Sequence, residues 1–241
     1  MDEATRKRLL ALNRDFYTRE AASFSATRNH AWPGWARVVG DLAAGPLAVL
    51  DAGCGNGRLA RFLRERGEND LDYLGIDSSA ALIDDAREAS PAPGVHFEVL
   101  DLVESPEAIP AGPFDLVAVF GLIHHLPGFE TRLQLIQELA SRLTRGGRLA
   151  VTCWRFGADP RIEGRLLDWG DLVDPAQLDP GDHLLRWGNS PGVSRYCHFA
   201  GDDEIDEFAD SVSAIGLELV DRFRNDGKSG ELNEYLVWSP R

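Results

Sequence analysis

The stretch VLDAGCGNG, residues 49–57, places three alternating glycines directly after a short apolar run. The run LAVLDAG, residues 47–53, predicts a buried strand, and the segment from about Asn56 to Arg66 predicts a helix. Glycines at a strand-to-helix turn let the backbone turn sharply and approach a ligand closely. The stretch therefore predicts a ligand site at the end of the first strand.

The glycine spacing restricts the kind of ligand. The pattern is GxGxG, and Arg58 stands where the GxGxxG pattern of dinucleotide-binding folds has its third glycine. A pyrophosphate ligand is therefore disfavoured. Asp51 comes just before the glycines, where a carboxylate suits a ligand that carries an ammonium or sulfonium charge.

Two more carboxylates lie at the ends of predicted strands. Asp77 ends LDYLGID, 20 residues after Gly57, where an acid accepts hydrogen bonds from ribose hydroxyls. Asp101 ends VHFEVLD, where a carboxylate and the Leu102 backbone would read an adenine edge. Open α/β sheets bind ligands at the carboxyl ends of their strands, which is where these acids would lie. The alternative is that the acids only cap helices.

The rest of the chain alternates apolar runs with amphipathic segments, which predicts a mostly parallel sheet covered by helices on both faces. The predicted strands are 47–53, 71–77, 95–101, 114–122, 147–154, 217–223 and 233–239. Residues 3–27 predict one helix or two short ones, and the other predicted helices are 35–43, 56–66, 79–89, 130–144 and 202–216. A short turn, NDGKSG, joins the last two strands and makes the final strand antiparallel to its neighbours.

The domain organisation is predicted from the positions where this alternation of strands and helices is interrupted. Residues 1–44 precede the first strand and predict an N-terminal helical lid. Residues 45–241 predict one compact domain, with an insertion over 157–200 that shows little periodicity. A region of that length without clear elements is typical of a lid or binding insertion.

Composition restricts the class of protein. A chain of 241 residues that is 44% hydrophobic suits one α/β domain with an insertion or two. The net charge of −14 disfavours non-specific nucleic-acid binding without excluding it. Lys7 and Lys228 are the two lysines among 25 basic residues, so the other 23 are arginines. Arginine suits bidentate contacts to carboxylate or phosphate, although a GC-rich genome also explains the bias.

Cysteine spacing and hydropathy bear on the compartment. Cys54, Cys153 and Cys197 are widely spaced, with no CxxC pair, which predicts a reducing, cytoplasmic setting without disulfides or a metal site. Residues 1–12 are charged and do not resemble a signal peptide. No apolar run approaches the roughly 18 residues of a membrane span.

From residue 45 to about 155, and again in the closing helix and strand pair, the chain resembles the class I S-adenosylmethionine-dependent methyltransferases. The resemblance implies a Rossmann-like sheet of order 3-2-1-4-5-7-6, with S-adenosyl-L-methionine as the cofactor. It also implies that FGLIHHL, after the fourth strand, lines the methyl-transfer site. The implied cofactor-binding residues are Asp51, Gly53, Cys54, Gly55, Gly57, Asp77, Ser78, Asp101, Leu102 and Phe120.

The segment FYTREAASFSATRNHAWPGW, residues 16–35, resembles the N-terminal signature of the tRNA wobble-uridine carboxymethyl methyltransferases. That signature has a tyrosine, then F-S-x-T-R, then P-W-P; Ala31 replaces the first proline here. SRYCHF, GDHLLRWG and NEYLVW resemble later elements of the same family, with Cys197 where the family usually has tyrosine. The residues that match the signature are Phe24, Ser25, Thr27, Arg28, Trp32 and Pro33.

Methyl transfer from a sulfonium is an in-line displacement, so positioning and electrostatics supply most of the catalysis. A carboxylate acceptor is already ionised at neutral pH and needs no general base, but it needs donors to orient it. Arg28 and Arg195 suit a bidentate grip, and His124 and His198 would donate to the acceptor or to a phosphate. Tyr17, Trp32 and Tyr196 would stack on a base or shield the sulfonium. Each of these residues also has a purely structural interpretation.

Three functions are compatible with these patterns. The first is a methyltransferase for carboxymethyluridine at the tRNA wobble position. The second is a methyltransferase for a small acidic or hydroxylated metabolite, and the third is a non-catalytic cofactor-binding scaffold. The resemblance alone suggests a small zinc-containing activator protein as a partner. The run VHFEVL would be its docking site or an ordinary sheet edge.

Overall fold

The structure is a computed structural model that describes residues 1–40, 42, 45–68, 70–156, 160–188 and 192–241. Asp41, Ala43 and Ala44, at the end of the predicted lid, lie outside the described residues, as do parts of the predicted insertion. The α-helices are α1 Glu3–Ala26, α2 Trp35–Val39, α3 Arg58–Glu65, α4 Ala80–Ala89, α5 Phe129–Ala140, α6 Pro160–Glu163 and α7 Asp202–Ser213. The strands are β1 Leu47–Ala52, β2 Leu71–Asp77, β3 Val95–Val99, β4 Phe114–Val119, β5 Leu143–Trp154, β6 Leu166–Leu167, β7 Asp182–Arg186, β8 Ser194–His198, β9 Leu217–Asn225 and β10 Asn233–Pro240.

A seven-stranded sheet forms the centre of the fold, in the order β3-β2-β1-β4-β5-β10-β9. Strands β1 to β5 pair in parallel, whereas β10 runs antiparallel to both β5 and β9. The predicted strand order and the antiparallel final strand are confirmed. The central strands are buried on both faces because helices cover both sides of the sheet. This explains why LAVLDA and FDLVAV are nearly continuous apolar runs.

The boundary between α5 and β5 differs from the prediction. The helix was expected to continue to residue 144, but it ends at Ala140. Leu143 already pairs with Phe114 in the sheet, so β5 begins before the two glycines at 146 and 147. Pairing with a neighbouring strand has overridden the local helical pattern here.

Helix α1 is one continuous helix that lies over the carboxyl edge of the sheet. Its buried Asn13 donates from Nδ2 to the carbonyl oxygens of His125, at 3.0 Å, and Tyr196, at 3.2 Å. Tyr196 returns a backbone N–H to Asn13 Oδ1 at 2.8 Å. The side chain of Asn13 therefore fixes α1 to the short 3₁₀ turn Ile123–His125 and to β8.

The insertion contains regular structure that its sequence did not reveal. Strands β6, β7 and β8 form a separate antiparallel sheet in that order. Strands of two to five residues are too short to show a clear period of two, so the segment looks irregular as a sequence. The small sheet brings Arg195 and His198 toward the main domain.

Candidate active site

A cavity of about 630 Å³ opens at the carboxyl edge of the large sheet, beneath α1. Its size is that of a typical small-molecule site. Of the predicted site residues, Gly57 and His198 do not line it. The predicted residues that do line it are Tyr17, Arg28, Asp51, Gly53, Cys54, Gly55, Asp77, Ser78, Asp101, Leu102, Phe120, His124 and Arg195.

The glycine turn connects β1 to α3. Gly53, Gly55 and Gly57 all have positive φ, at 78°, 54° and 73°, a region that other residues adopt only with strain. A Cβ on Gly57 would also lie 2.9 Å from the ring of Phe97. Gly57 therefore lets the loop pack on the core and begin α3, which places the cavity-facing Gly55 where a ligand can approach.

Asp77, at the end of β2, is held by the backbone on both oxygens. Oδ2 accepts from the N–H of Gly55 and Oδ1 accepts from the N–H of Ser79, each at 2.9 Å. Burial raises the pKa of Asp77, although these donors oppose the shift. The carboxylate is thus fixed beside the glycine turn with lone pairs left for ligand hydroxyls.

Asp51 is 3% exposed, and the hydroxyl of Tyr73 donates to its Oδ2. Burial raises the pKa of Asp51 to about 7. A buried carboxylate of this kind is destabilised in its ionised form, and a nearby cation would favour that form. The site therefore fits the ammonium or sulfonium group that the sequence predicted.

Asp101 lies just after β3 and has more partners than expected. Its Oδ1 accepts from the N–H groups of Val103, at 3.0 Å, and Glu104, at 3.1 Å. Its Oδ2 accepts from Arg14 Nε at 3.0 Å. Arg14, on α1, was absent from the predicted site. It ties the N-terminal helix to the acid that was assigned to the adenine edge.

Tyr17 and His125 form a buried pair above the sheet. The ring Nδ1 of His125 lies 3.3 Å from the carbonyl oxygen of Tyr196, so this nitrogen carries the proton and the Tyr17 hydroxyl donates to Nε2 at 2.8 Å. Burial lowers the pKa of His125 to about 3 and raises the pKa of Tyr17 to about 12. Both side chains are therefore neutral at physiological pH. Tyr17 presents a neutral ring to the cavity, and His125 supports it.

Arg195, 7% exposed, lies on β8 with its guanidinium carbon 5.3 Å from the ring centre of Phe16 and 5.0 Å from that of Trp187. Its Nε has no hydrogen-bond partner. Arg28 lies 5.1 Å from the ring centre of Phe24, and burial lowers its pKa. Within the described residues, neither arginine has a carboxylate within 4.0 Å. Both line the cavity.

His124 lies beside His125 and Trp154, with ring centres 4.1 Å and 4.9 Å away. Its Nδ1 is buried and has no hydrogen-bond partner. Burial lowers the pKa of His124 well below the usual histidine value. A neutral imidazole at the wall of the cavity can offer one N–H donor and one acceptor to a ligand.

His198 is in a different place from the one predicted. Its Nδ1 lies 2.7 Å from Asp182 Oδ1 and its Nε2 lies 2.7 Å from Glu204 Oε2. Burial alone would lower the pKa of His198, but these two carboxylates raise it. Arg132 donates to Glu204 at 2.7 Å. Both ring nitrogens are therefore occupied by this buried polar cluster, which joins β7 and β8 to α5 and α7.

Tyr196 is likewise buried outside the cavity, and its hydroxyl donates to Asp182 at 2.6 Å. Its expected stacking on a base is not supported by this geometry. Trp187, by contrast, was missed, although it contacts two arginines that line the cavity. It donates from Nε1 to Ser23 Oγ at 2.9 Å, and its ring centre lies 6.0 Å from the guanidinium carbon of Arg28 and 5.0 Å from that of Arg195. Trp187 belongs to the element GDHLLRWG, which the sequence had already singled out, and it is one of six tryptophans in the chain.

This fold and this site define a class I S-adenosylmethionine-dependent methyltransferase. The glycine turn and the acids at three strand ends fit an adenosyl group joined to an amino acid, and the cofactor is S-adenosyl-L-methionine. When bound, it supplies an electrophilic methyl group on sulfur. Among the described residues, no helix has the length and apolar character needed to cross a membrane.

Comparison with known proteins agrees with this class. Residues 49–147 match the family described as "Methyltransferase domain". The chain is 37% identical over 228 residues to trans-aconitate 2-methyltransferase of Azoarcus sp., an alignment that covers 80% of this chain and 85% of that protein. The chain therefore belongs to the S-adenosylmethionine-dependent methyltransferase family.

Other relatives share a more specific name. The chain is 36% identical over 136 residues to tRNA (carboxymethyluridine(34)-5-O)-methyltransferase alkbh8 of Xenopus tropicalis, covering 56% of this chain and 19% of that protein. It is 30% identical to the Saccharomyces cerevisiae protein of that enzyme name, covering 57% of this chain and 46% of the yeast protein. The aligned region thus spans less than half the length of these two relatives.

Solved structures share the fold. A methyltransferase of Methanosarcina mazei superimposes with a TM-score of 0.65 at 17% identity, covering 87% of this chain and 98% of that one. A Haloferax volcanii structure, described as a complex with the Trm112 methyltransferase activator, superimposes with a TM-score of 0.62 at 14% identity, covering 94% and 96%.

Proposed function

We propose that this enzyme methylates a carboxylate, and that the acceptor is the carboxymethyl group of a uridine at the tRNA wobble position. The observation that carries the proposal is the pair Arg28 and Arg195. Both line the cavity, and neither has a carboxylate partner among the described residues. In a chain with 39 acidic residues, two inward-facing arginines without acids indicate that an anionic ligand supplies the missing charge.

The energetics support this assignment. A guanidinium in a partly desolvated site loses hydration, and aromatic faces return only about 0.5–2 kcal/mol of it. Phe16, Trp187 and Phe24 hold the two arginines in place without neutralising them. A carboxylate that entered would make charge-assisted hydrogen bonds to both, which are about twice as strong as neutral ones.

The proposed mechanism is based on where the acids and the arginines lie around the cavity. Asp77 and Asp101 would hold the adenosyl part of the cofactor, and Asp51 would hold its positive end, so that the methyl faces the side of the cavity below α1. Arg28 and Arg195 would orient one acceptor oxygen along the line of the carbon–sulfur bond, which is the geometry a displacement requires. An ionised carboxylate needs no proton removed, which agrees with a cavity wall where burial lowers the pKa of His124 and of His125.

The roles of the predicted site residues and of the lid are part of this proposal. Residues 1–44 would close the cavity from above, because Tyr17 and Arg28 line it and Asn13 fixes α1 across its edge. Exclusion of water by such a lid strengthens the electrostatic interactions inside. His124 would complete the wall beside the acceptor.

The tRNA substrate is supported by the enzyme names of several relatives. The net charge of −14 disfavours direct steering of a polyanion to this chain, so a basic partner would have to supply part of the tRNA contact. The edge strand β3, with Val99 50% exposed, is the docking surface proposed for a small activator protein. A cytoplasmic location would accompany this function.

The alternative acceptor is a small polycarboxylic acid. It is favoured by the similarity to a trans-aconitate methyltransferase, which extends over most of both chains. The same two arginines would bind such an acid, and the acidic exterior would matter less for a small ligand, because salt screens charges beyond about 8 Å.

The deciding assay is transfer of a labelled methyl group from S-adenosyl-L-methionine. The acceptors are bulk tRNA prepared without the terminal ester and, in parallel, trans-aconitate as a representative small polycarboxylate. Label on tRNA that mild base releases would identify a methyl ester on the nucleic acid. Label on the small acid alone would support the alternative, and label on neither would contradict both.

Arg28→Ala tests the acceptor grip. We expect turnover to fall by about 10²-fold or more, equivalent to roughly 2.7 kcal/mol, with little change in cofactor affinity. Arg19→Ala is a matched control, because Arg19 is exposed on α1, which ends just before Arg28, and it pairs with Asp15 only at 4.0 Å. Undiminished turnover in Arg28→Ala would contradict the role of this residue.

A further inference from the structure

Asp226, in the turn between β9 and β10, has an unusual backbone conformation. Its φ is 71°, and every other described residue with a positive φ is a glycine. This conformation is strained in a residue with a side chain, and it persists only where the surrounding contacts maintain it. Such strain is concentrated at functional sites. Asp226 also lines the cavity, although the proposed mechanism gives it no role.

The buried carboxylate of Asp226 is 2% exposed and accepts three hydrogen bonds. Its Oδ2 accepts from Asn233 Nδ2 at 2.8 Å and from the hydroxyl of Tyr235, both in β10. Its Oδ1 accepts from the backbone N–H of Gly34 at 3.0 Å. The first two bonds close the turn between neighbouring strands. The third joins this turn to a segment 192 residues earlier in the chain.

Gly34 ends the segment that connects α1 to α2, residues 27–34. The segment carries Arg28 and Trp32 into the cavity wall but contains no helix or strand, so its position depends on contacts with its neighbours. A Cβ on Gly34 would lie 2.5 Å from the ring of Tyr235. A glycine at this position therefore lets the segment pack directly on the last strand, beside the carboxylate.

Different contacts hold the two halves of this segment. In the first half, Asn56 donates from Nδ2 to the carbonyl oxygen of Arg28 at 3.3 Å, and Arg58 donates to the carbonyl oxygen two residues further on. In the second half, within the described part of the chain, the side-chain hydrogen bond to the backbone of residues 31–34 is the one from Asp226. The position of the second half therefore depends on this carboxylate.

Trp32 lies in the second half and adjoins the part of the cavity wall that we assign to the acceptor. A Cβ on Gly121 would lie 3.1 Å from the ring of Trp32 and 4.0 Å from that of His124. We propose that Asp226 is a positioning residue for methyl transfer, which fixes Trp32 beside the acceptor by holding Gly34. The strained conformation is retained because a glycine could not supply the carboxylate. The proposal rests on the proposed function for the place of the acceptor, but not for its chemical identity.

Two substitutions break this contact from opposite sides. Asp226→Gly relieves the strain of the turn but removes the carboxylate, and Gly34→Ala forces the segment away from Tyr235. Each should raise the KM for the acceptor by about tenfold. The acceptor is bulk tRNA without the ester or trans-aconitate, whichever the native enzyme methylates. Asp226→Asn should keep a KM close to the native one, because asparagine tolerates the same φ and still accepts from Gly34.

The affinity for S-adenosylhomocysteine separates positioning from general damage. In both variants it should stay within about twofold of the native value, because the contact is distant from the bonds that hold Asp77 at the glycine turn. A loss of this affinity equal to the change in KM would overturn the proposal. Ser229→Ala is the matched control, because Ser229 is exposed in the same turn and does not line the cavity.

Amide hydrogen exchange tests the contact without an acceptor. In the native protein, the N–H of Gly34 should exchange at least about tenfold more slowly than in a free peptide, and Asp226→Gly should remove that protection. Rapid exchange at Gly34 in the native protein would overturn the proposal, and this measurement needs no variant to fold. Lost protection with an unchanged KM would also overturn it. A native enzyme that methylates neither acceptor would contradict the proposed function, whereas lost protection in Asp226→Gly would still support the positioning of Trp32.

Discussion

The most specific prediction concerns Asp51. Its buried negative charge destabilises the folded protein, and the same charge would bind the positive end of the cofactor. We expect Asp51→Asn to stabilise the ligand-free protein and to weaken S-adenosylhomocysteine binding by about tenfold or more. The carboxyl is 3% exposed, and its one side-chain hydrogen bond comes from Tyr73. An asparagine there still accepts that bond but carries no charge.

The magnitude follows from the pKa of Asp51. Burial raises this pKa from 3.8 to about 7, and a rise of that size costs the folded state about 4 kcal/mol at pH 8. The amide also needs polar partners, so we expect Asn to recover about half of this, roughly 2 kcal/mol. For a chain of this length, that gain raises the melting temperature by about 4–8 °C.

The stabilisation expected from Asp51→Asn depends on pH. A carboxyl with a raised folded-state pKa imposes no penalty below about pH 4, and its full penalty above about pH 7. The stabilisation by Asp51→Asn should therefore shrink as the pH falls from 7 toward 4. Urea unfolding across this range measures it, with the exposed Asp72→Asn on β2 as control. A gain that is absent at pH 8, or equal at both ends of the range, would refute the reasoning.

Three further changes test other parts of the site. Asp77→Ala should abolish measurable binding of S-adenosylhomocysteine in calorimetry, because it removes the carboxylate that accepts from the N–H of Gly55 in the glycine turn and from the N–H of Ser79. Trp187→Leu should raise the KM for the acceptor by about tenfold, with cofactor affinity unchanged, and Trp187→Phe should retain most of the native KM. Arg132→Met should lower stability by about 3–5 kcal/mol in urea unfolding, because it leaves a buried polar cluster with one cation fewer. A stable Arg132→Met protein would contradict the importance of that cluster.

The large sheet and the cofactor side of the cavity were predictable because their signals are local. Each of the three acids lies in the last residues of a predicted strand, and the parallel topology places all three at one edge of the sheet. The three glycines also predicted the sharp turn of the backbone at the end of the first strand. In such a fold, a residue at the carboxyl end of a predicted strand can be assigned to the ligand site from the sequence alone.

The acceptor side depended on long-range contacts and was predicted less well. His198 and Arg195 are three residues apart in one short strand, yet Arg195 faces the cavity and His198 faces Asp182 and Glu204. The motif alone does not say which face of β8 turns inward. Arg14 and Trp187 were missed because their partners lie 87 and 164 residues away.

The cavity thus has a floor and a roof of different origin. The floor is formed by strand ends of the central sheet, where a change of side chain disturbs both the core and the cofactor. The roof consists of α1 with its following loop and the small three-stranded sheet, which the Arg132 cluster fastens to the body of the protein. Substitutions in the roof can therefore exchange one methyl acceptor for another in evolution or by design, while the donor chemistry below is inherited unchanged.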